Sequence, residues 1–97
     1  MTPAAKSSPA LTALRTQLET LDAQLVDVLA QRVALARRIG GEKRALGLPL
    51  QDPRREAQVV TAVAKLARKA GLPEESVRDI FWPVVALCRR AQQDEAP

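Results

Sequence analysis

Two interleaved rows of apolar residues at heptad spacing constrain this chain more than any other feature. Leu11, Leu18, Leu25 and Ile39 are separated by multiples of seven, and Leu14, Leu21, Val28 and Leu35 form a second row three or four residues away. A seam sustained over four repeats predicts helix. Ser8 offers an N-cap with Pro9 in the first turn, and Gly47 with Pro49 beyond it supplies the stop. Gly40-Gly41 interrupts the run, but Lys43 and Leu46 keep the period, so the helix is expected to continue through the glycines. From Leu11 to Leu46 it would measure about 54 Å at 1.5 Å per residue. A compact chain of this length has a radius of gyration of only about 12–13 Å. Such a helix would leave its own globule with the seam wet, and a second copy is the simplest cover. The expected architecture is all-α, three helices per chain (one long, two shorter), in an intertwined helical homodimer.

The two shorter helices follow from local signals. Asp52-Pro53 is an N-cap carboxylate followed by proline in the first turn, with Ala57, Val60, Val63, Ala67 and Ala70 as the inward face and Gly71 as the stop. Pro73, Glu74 and Glu75 open the third helix, with acids in its positive first turn. Its stripe is Val77, Phe81, Val84, Cys88 and Gln92, and Pro83 within it removes one backbone hydrogen bond and predicts a kink near Asp79–Trp82. One helical domain over residues 9–93 is expected, between disordered tails at 1–8 and 94–97.

Composition narrows the chemistry. The chain has no histidine and one cysteine, Cys88, so no disulfide forms within it, and neither a Cys/His zinc site nor a Ser-His-Asp or Cys-His pair can be built. Any reaction must proceed without imidazole, and no metal or other cofactor is expected. The formal charge of +4 raises nucleic acid as a partner. Against this, basic residues run no longer than pairs, acids are interleaved throughout, and aromatics are confined to Phe81 and Trp82. Neither a nucleic-acid nor a membrane partner is expected, since no apolar stretch approaches the ~18 residues of a span. The N-terminus has no signal-like apolar region, and a cytoplasmic location is the default expectation.

The informative positions are polar residues standing where apolar ones belong. Arg32 occupies the seam position between Leu25 and Ile39. Lys43, eleven residues on, returns to within ~20° of the same helix face. Buried unpaired cations are costly, so both need anionic partners. Two readings follow: a structural ion pair with Asp52, Glu56 or Glu42, or a pocket for an anionic ligand. Gln92 continues the apolar stripe of the third helix; it faces inward or lies on a fraying helix end. The cap role explains Asp52 but leaves Arg55 and Glu56 unexplained. Arg15 is about 25 Å along a straight helix from Arg32 and ~100° around it, so one helix cannot bring both to one small ligand. Arg15 is either a solvated charge or, through an antiparallel partner helix, a neighbour of the other chain's Arg32.

Taken in order, Leu14-Arg15, Leu21-Asp22-x-x-Leu25, Leu29-Ala30-Gln31-Arg32, Ile39-Gly40-x-x-Lys43, Pro49-Leu50-x-Asp52-x-x-Arg55-Glu56, Gly71-Leu72, Ile80-Phe81 and Gln92 resemble the all-helical class of chorismate mutases, small intertwined homodimers. The resemblance spans residues 11–93. It implies a cofactor-free Claisen rearrangement of chorismate to prephenate in phenylalanine and tyrosine biosynthesis. By that resemblance Lys43, Gln92 and Arg32 are catalytic. Arg32 and the partner's Arg15 bind the two carboxylates, Lys43 and Gln92 donate to the ether oxygen, and Glu56 with the backbone near Asp52 takes the ring hydroxyl, ordered by Arg55. Ile39, Val59 and Val85 are pocket walls. Cys88 stands where many relatives place serine near a substrate carboxylate, and a thiol is a poorer donor. Enzymes of the same fold that act on isochorismate (pyruvate lyases) or on aminodeoxychorismate share the cationic cage. A non-catalytic dimerisation or regulatory module is the alternative from another class; it predicts no rise in melting temperature with a dicarboxylate analogue, whereas a binding pocket predicts one.

Overall fold

The computed structural model describes residues 8–94, so of the tails expected at 1–8 and 94–97 all but Ser8 and Asp94 lie outside the described residues; Ser8 caps the first helix and Asp94 pairs with Arg37. The described chain is all-α: α1 (Pro9–Leu46), α2 (Pro53–Lys69) and α3 (Glu74–Gln92). The helix ends are set by local chemistry. The Ser8 hydroxyl accepts from the Leu11 amide at 3.0 Å, and the Asp52 carboxylate accepts from the Arg55 amide at 3.1 Å. α1 passes through Gly40-Gly41 without a break and stops at Gly47, whose φ of 70° places it in the left-handed region. There Leu48 N–H donates to the Lys43 carbonyl and Gly47 N–H to that of Arg44, a complete Schellman closure. Gly71, with φ of 76°, closes α2 through the same pair of bonds to Ala67 and Arg68. α3 stays one helix across Pro83. Pro83 and Asp79, whose carbonyl loses its donor, are both exposed, so that carbonyl is open to solvent.

By its contacts the chain divides between Gln31 and Arg32. The N-terminal unit is a single stretch of α1 whose seam is uncovered in the single chain: Leu14, Leu18, Leu21 and Leu25 are between 55% and 64% exposed. In the second unit α2 packs on α3, and Ala36 of α1 joins Cys88 and Ala91 of α3 in a buried cluster with Val33 against it. Val60, Ala64, Ala67 and Val85 are the other buried apolar residues. The inward face of α2 thus carries Val60, Ala64 and Ala67 rather than Ala57 and Ala70, which are exposed. Alanine occurs on several faces of α2, and apolarity alone does not select one. On α3 the most buried line runs through Val85, Cys88 and Ala91, with Val77, Phe81 and Val84 half-buried beside it. The interior is built of small side chains, while most large aliphatic ones lie outside. No described helix is long and apolar enough to cross a membrane.

Candidate active site

A cavity of about 490 Å³ opens within the second unit, and each helix supplies part of its wall. α1 contributes Arg32, Ile39 and Lys43, which share a face at the spacing expected from helix periodicity. The start of α2 contributes Asp52, Arg55, Glu56 and Val59, and α3 contributes Val85, Cys88 and Gln92. These are all the site residues expected from sequence except Arg15, which lies exposed on the N-terminal unit. Leu35 and Ala36 also line the cavity and were not anticipated. Both lie between Arg32 and Ile39 at three- and four-residue steps, so the spacing itself could have found them.

Lys43 and Gln92 are joined. The Lys43 ammonium donates to the Gln92 Oε1 at 2.9 Å and to the Leu50 carbonyl at 3.1 Å. An ammonium has three protons, so one remains for a ligand. Because Gln92 Oε1 accepts from Lys43, its amide nitrogen is the free end, a donor with no partner among the described residues. Two donors of fixed orientation therefore border one space. Arg32, Lys43 and Arg55 form no ion pair among the described residues. The structural-pair reading of Arg32 and Lys43 is thus not met: Asp52 caps α2, and Glu56 is bound elsewhere. The cavity lining is left with three cations, Arg32, Lys43 and Arg55, against two carboxylates, Asp52 and Glu56.

Gln92 is held in place by α1. The Arg44 guanidinium donates to the Gln92 carbonyl at 2.7 Å and to the Asp94 carbonyl at 3.2 Å, while Arg37 pairs with the Asp94 carboxylate at 3.2 Å. Gly40 is buried directly against this turn: a Cβ there would meet the Gln92 carbonyl oxygen, and would lie 2.8 Å from its Cα. Gly40→Ala gains about 1 kcal/mol in helix propensity, but overpacking against backbone, which cannot rotate away, costs about 1–3 kcal/mol. The expected result is a net loss of stability together with a lower kcat, because Gln92 is pushed off Lys43. Gly41 has open space around it, so Gly41→Ala is expected to leave kcat alone and raise the melting temperature. Thermal melts and kcat of the two variants check this; an unaltered Gly40→Ala protein would contradict it.

Glu56 is bound by a residue that sequence reasoning did not single out. Arg89 of α3 donates from Nε and from a terminal nitrogen to the two Glu56 oxygens, at 2.8 and 2.7 Å. The resemblance gives the ordering of this corner to Arg55; in the structure Arg55 lines the cavity and the side chain that binds the Glu56 carboxylate is Arg89. Arg89 stands four residues after Val85 and three before Gln92, within a turn of both, but nothing in that local spacing brings it to Glu56, 33 residues away. The Arg89 hydrogen bonds hold the Glu56 carboxyl below the ordinary carboxylate value; burial opposes them, and the Lys43 charge adds to them. A depressed folded value means that the stabilisation from Glu56 is full above the ordinary value and disappears as pH falls through the depressed one. Denaturation of the parent and of Glu56→Gln is expected to differ at neutral pH and converge in acid. A pH-independent gap would show that the ionised pair contributes nothing.

Residues 14–93 match the family model described as chorismate mutase type II. The chain belongs to this family, which is a family of isomerases. It is 34% identical over 85 residues to a T-protein of Enterobacter agglomerans, covering 88% of this chain and 23% of that protein. The chain thus spans about a quarter of that relative's length. It is 35% identical over 88 residues to a 4-amino-4-deoxychorismate mutase of Streptomyces pristinaespiralis, covering 90% of this chain and 67% of that one. Among solved structures, a conserved hypothetical protein from Pyrococcus furiosus matches with a TM-score of 0.69 and 30% identity, over 89% of this chain and 99% of that one. In this chorismate mutase type II chain the family match runs from the exposed first half of α1 to the end of α3, and so covers the seam from Leu14 onward, Arg15 and every wall of the cavity.

Proposed function

We propose that this chain rearranges chorismate to prephenate, as an intertwined homodimer and without a cofactor, in phenylalanine and tyrosine biosynthesis. The observation that carries the reading is the Lys43–Gln92 pair, two oriented donors with free protons at one cationic cavity. The reaction breaks an ether C–O bond and forms a C–C bond in one pericyclic step, so no proton has to move. What the protein must do is hold a flexible dianion in its reactive fold and stabilise negative charge growing on the ether oxygen. Lys43 and the Gln92 amide donate to that oxygen, Arg32 binds one carboxylate, and Glu56 accepts from the ring hydroxyl. The apolar walls, Ile39, Val59 and Val85, press the two reacting carbons together.

A second carboxylate needs a second cation, and the partner's Arg15 supplies it in this reading. The exposed leucine rows of α1 support a second copy. Each large aliphatic side chain taken from water stabilises by about 1.5–3 kcal/mol, and the single chain leaves most of its leucines outside.

Aminodeoxychorismate is the second substrate reading, favoured by the Streptomyces relative. A product assay of the purified chain with chorismate, aminodeoxychorismate and isochorismate in parallel tests these readings. Prephenate from chorismate at enzymic rates is the expected result. Turnover of aminodeoxychorismate alone would move the assignment to the second reading, and salicylate with pyruvate from isochorismate alone would overturn both.

A further inference from the structure

Glu56 stands between two hollows. It lines the main cavity on one side and, on the other, a smaller one of about 210 Å³ that it shares with Gln51, Asp52, Pro53 and Arg89. Asp52 also borders both, whereas Arg89 borders only the second, so its guanidinium reaches the carboxylate from outside the ligand space. Its planar fork engages both oxygens, which fixes the plane of the carboxylate as well as its position.

This arrangement treats a neutral donor and a cationic donor differently. A hydroxyl arriving from the cavity keeps a hydrogen bond to an ionised acceptor, because each oxygen retains a lone pair. An ammonium at the same place is attracted by the Glu56 charge but also repelled by Arg89 behind it. Coulomb energy falls only as the inverse of distance, so a guanidinium at about twice the distance cancels roughly half of that attraction. Lys43, whose charge also reaches Glu56, adds to the repulsion, and Asp52 partly offsets it. The arginine therefore subtracts from the binding of an ammonium while leaving that of a hydroxyl nearly intact.

We propose that Arg89 is a specificity-determining positioning residue that sets Glu56 to receive a ring hydroxyl and weakens the site's hold on a ring ammonium. The substrates named above differ at this group: 4-amino-4-deoxychorismate carries an amine, protonated at neutral pH, where chorismate carries a hydroxyl. The proposal rests on the reading of this cavity as a chorismate mutase site.

The test compares kcat/KM for chorismate and for aminodeoxychorismate in the parent chain, Arg89→Met and Arg89→Lys, from acid to neutral pH. The parent is expected to prefer chorismate. Arg89→Met shifts the ratio toward aminodeoxychorismate by about tenfold or more, the scale of one charged interaction, chiefly through a lower KM for that substrate. It also moves the acid limb of the chorismate profile upward, since Glu56 loses the cation that does most to hold its carboxyl down; Lys43 still lowers it and Asp52 raises it, with Arg55 and Arg32 the other charged residues of the cavity wall. Arg89→Lys retains the charge but not the fork, and is expected to keep the parent's ratio at a reduced kcat. Equal losses on both substrates in Arg89→Met with an unmoved acid limb would overturn the proposal, as would a lysine variant whose ratio shifts as far as that of the methionine variant. If Arg89→Met does not fold, Arg89→Gln, neutral but still able to hydrogen-bond Glu56, takes its place: a ratio shifted toward aminodeoxychorismate supports the proposal and an unshifted ratio overturns it. A parent chain that turns over neither substrate would instead refute the site reading, and the proposal with it; that outcome is read from the parent before any variant is made.

Discussion

Lys43→Ala and Gln92→Ala each lower kcat by roughly 10²–10³, the scale of removing one preorganised donor from a developing anion. The two effects are less than additive. Lys43 orients the Gln92 amide by donating to its oxygen, so removing the lysine also frees the glutamine to rotate. A double variant is therefore expected to lose little more than the worse single one, as coupled residues do. The loss falls on kcat more than on KM, because the ether oxygen gains charge only in the transition state. Gln92→Glu gives a separate signature. A carboxylate facing the ether oxygen would repel the growing charge, whereas a protonated carboxyl donates a hydrogen bond as the amide does. Activity of that variant should rise as pH falls, whereas the parent, with an amide, needs no acid. Single-turnover and steady-state kinetics of the four variants check these statements. Near-normal turnover in both alanine variants would remove Lys43 and Gln92 from the chemistry.

What was legible in the sequence follows the range of each interaction. The helix boundaries rest on signals within four residues of one another: Ser8 with Leu11, Asp52 with Arg55, and the two glycines at φ near 70°. The polar faces of the cavity were legible for the same reason, since Arg32 and Lys43 interrupt an apolar period that is itself local. The Glu56–Arg89 pair was not, because its members are 33 residues apart and meet only when α2 packs on α3. A pair of adjacent arginines near a helix end reads as solvated charge until that packing is known. Gly40 was legible only as an interruption of the helix; its actual role depends on how closely the last turn of α3 approaches, which no local pattern encodes. On α2 the expected inward face holds at Val60, Val63 and Ala67 and fails at its two ends, Ala57 and Ala70. On α3 the expected stripe is buried or half-buried throughout, and Val85 and Ala91 beside it are the additions, since where alanines and valines lie on adjacent faces hydrophobicity alone gives a shallow preference.

Arg15→Ala and Arg32→Ala chains, each inactive alone, should regain activity when mixed. The expectation follows from geometry and symmetry. Arg32 lines the cavity, whereas Arg15 lies in the N-terminal unit among exposed leucines and is absent from the cavity wall. If two copies pair along the α1 seam, each cavity takes Arg32 from one chain and Arg15 from the other. In a mixed dimer both losses then fall in the same site, and the other site is intact. With free exchange of chains, half of the dimers are mixed and each has one good site of two, so the mixture should recover about a quarter of the parent activity. Recovery should track the formation of mixed dimers, followed by native mass spectrometry after partial denaturation and renaturation. The KM of the recovered activity should equal that of the parent, because the surviving sites are unaltered. A substitution that merely weakened the fold would give a different result, since mixing two weakened chains restores nothing. Mixed dimers that form and stay inactive would show that each site is built from one chain, and would leave the second substrate carboxylate to Arg55, the other cavity arginine that forms no ion pair.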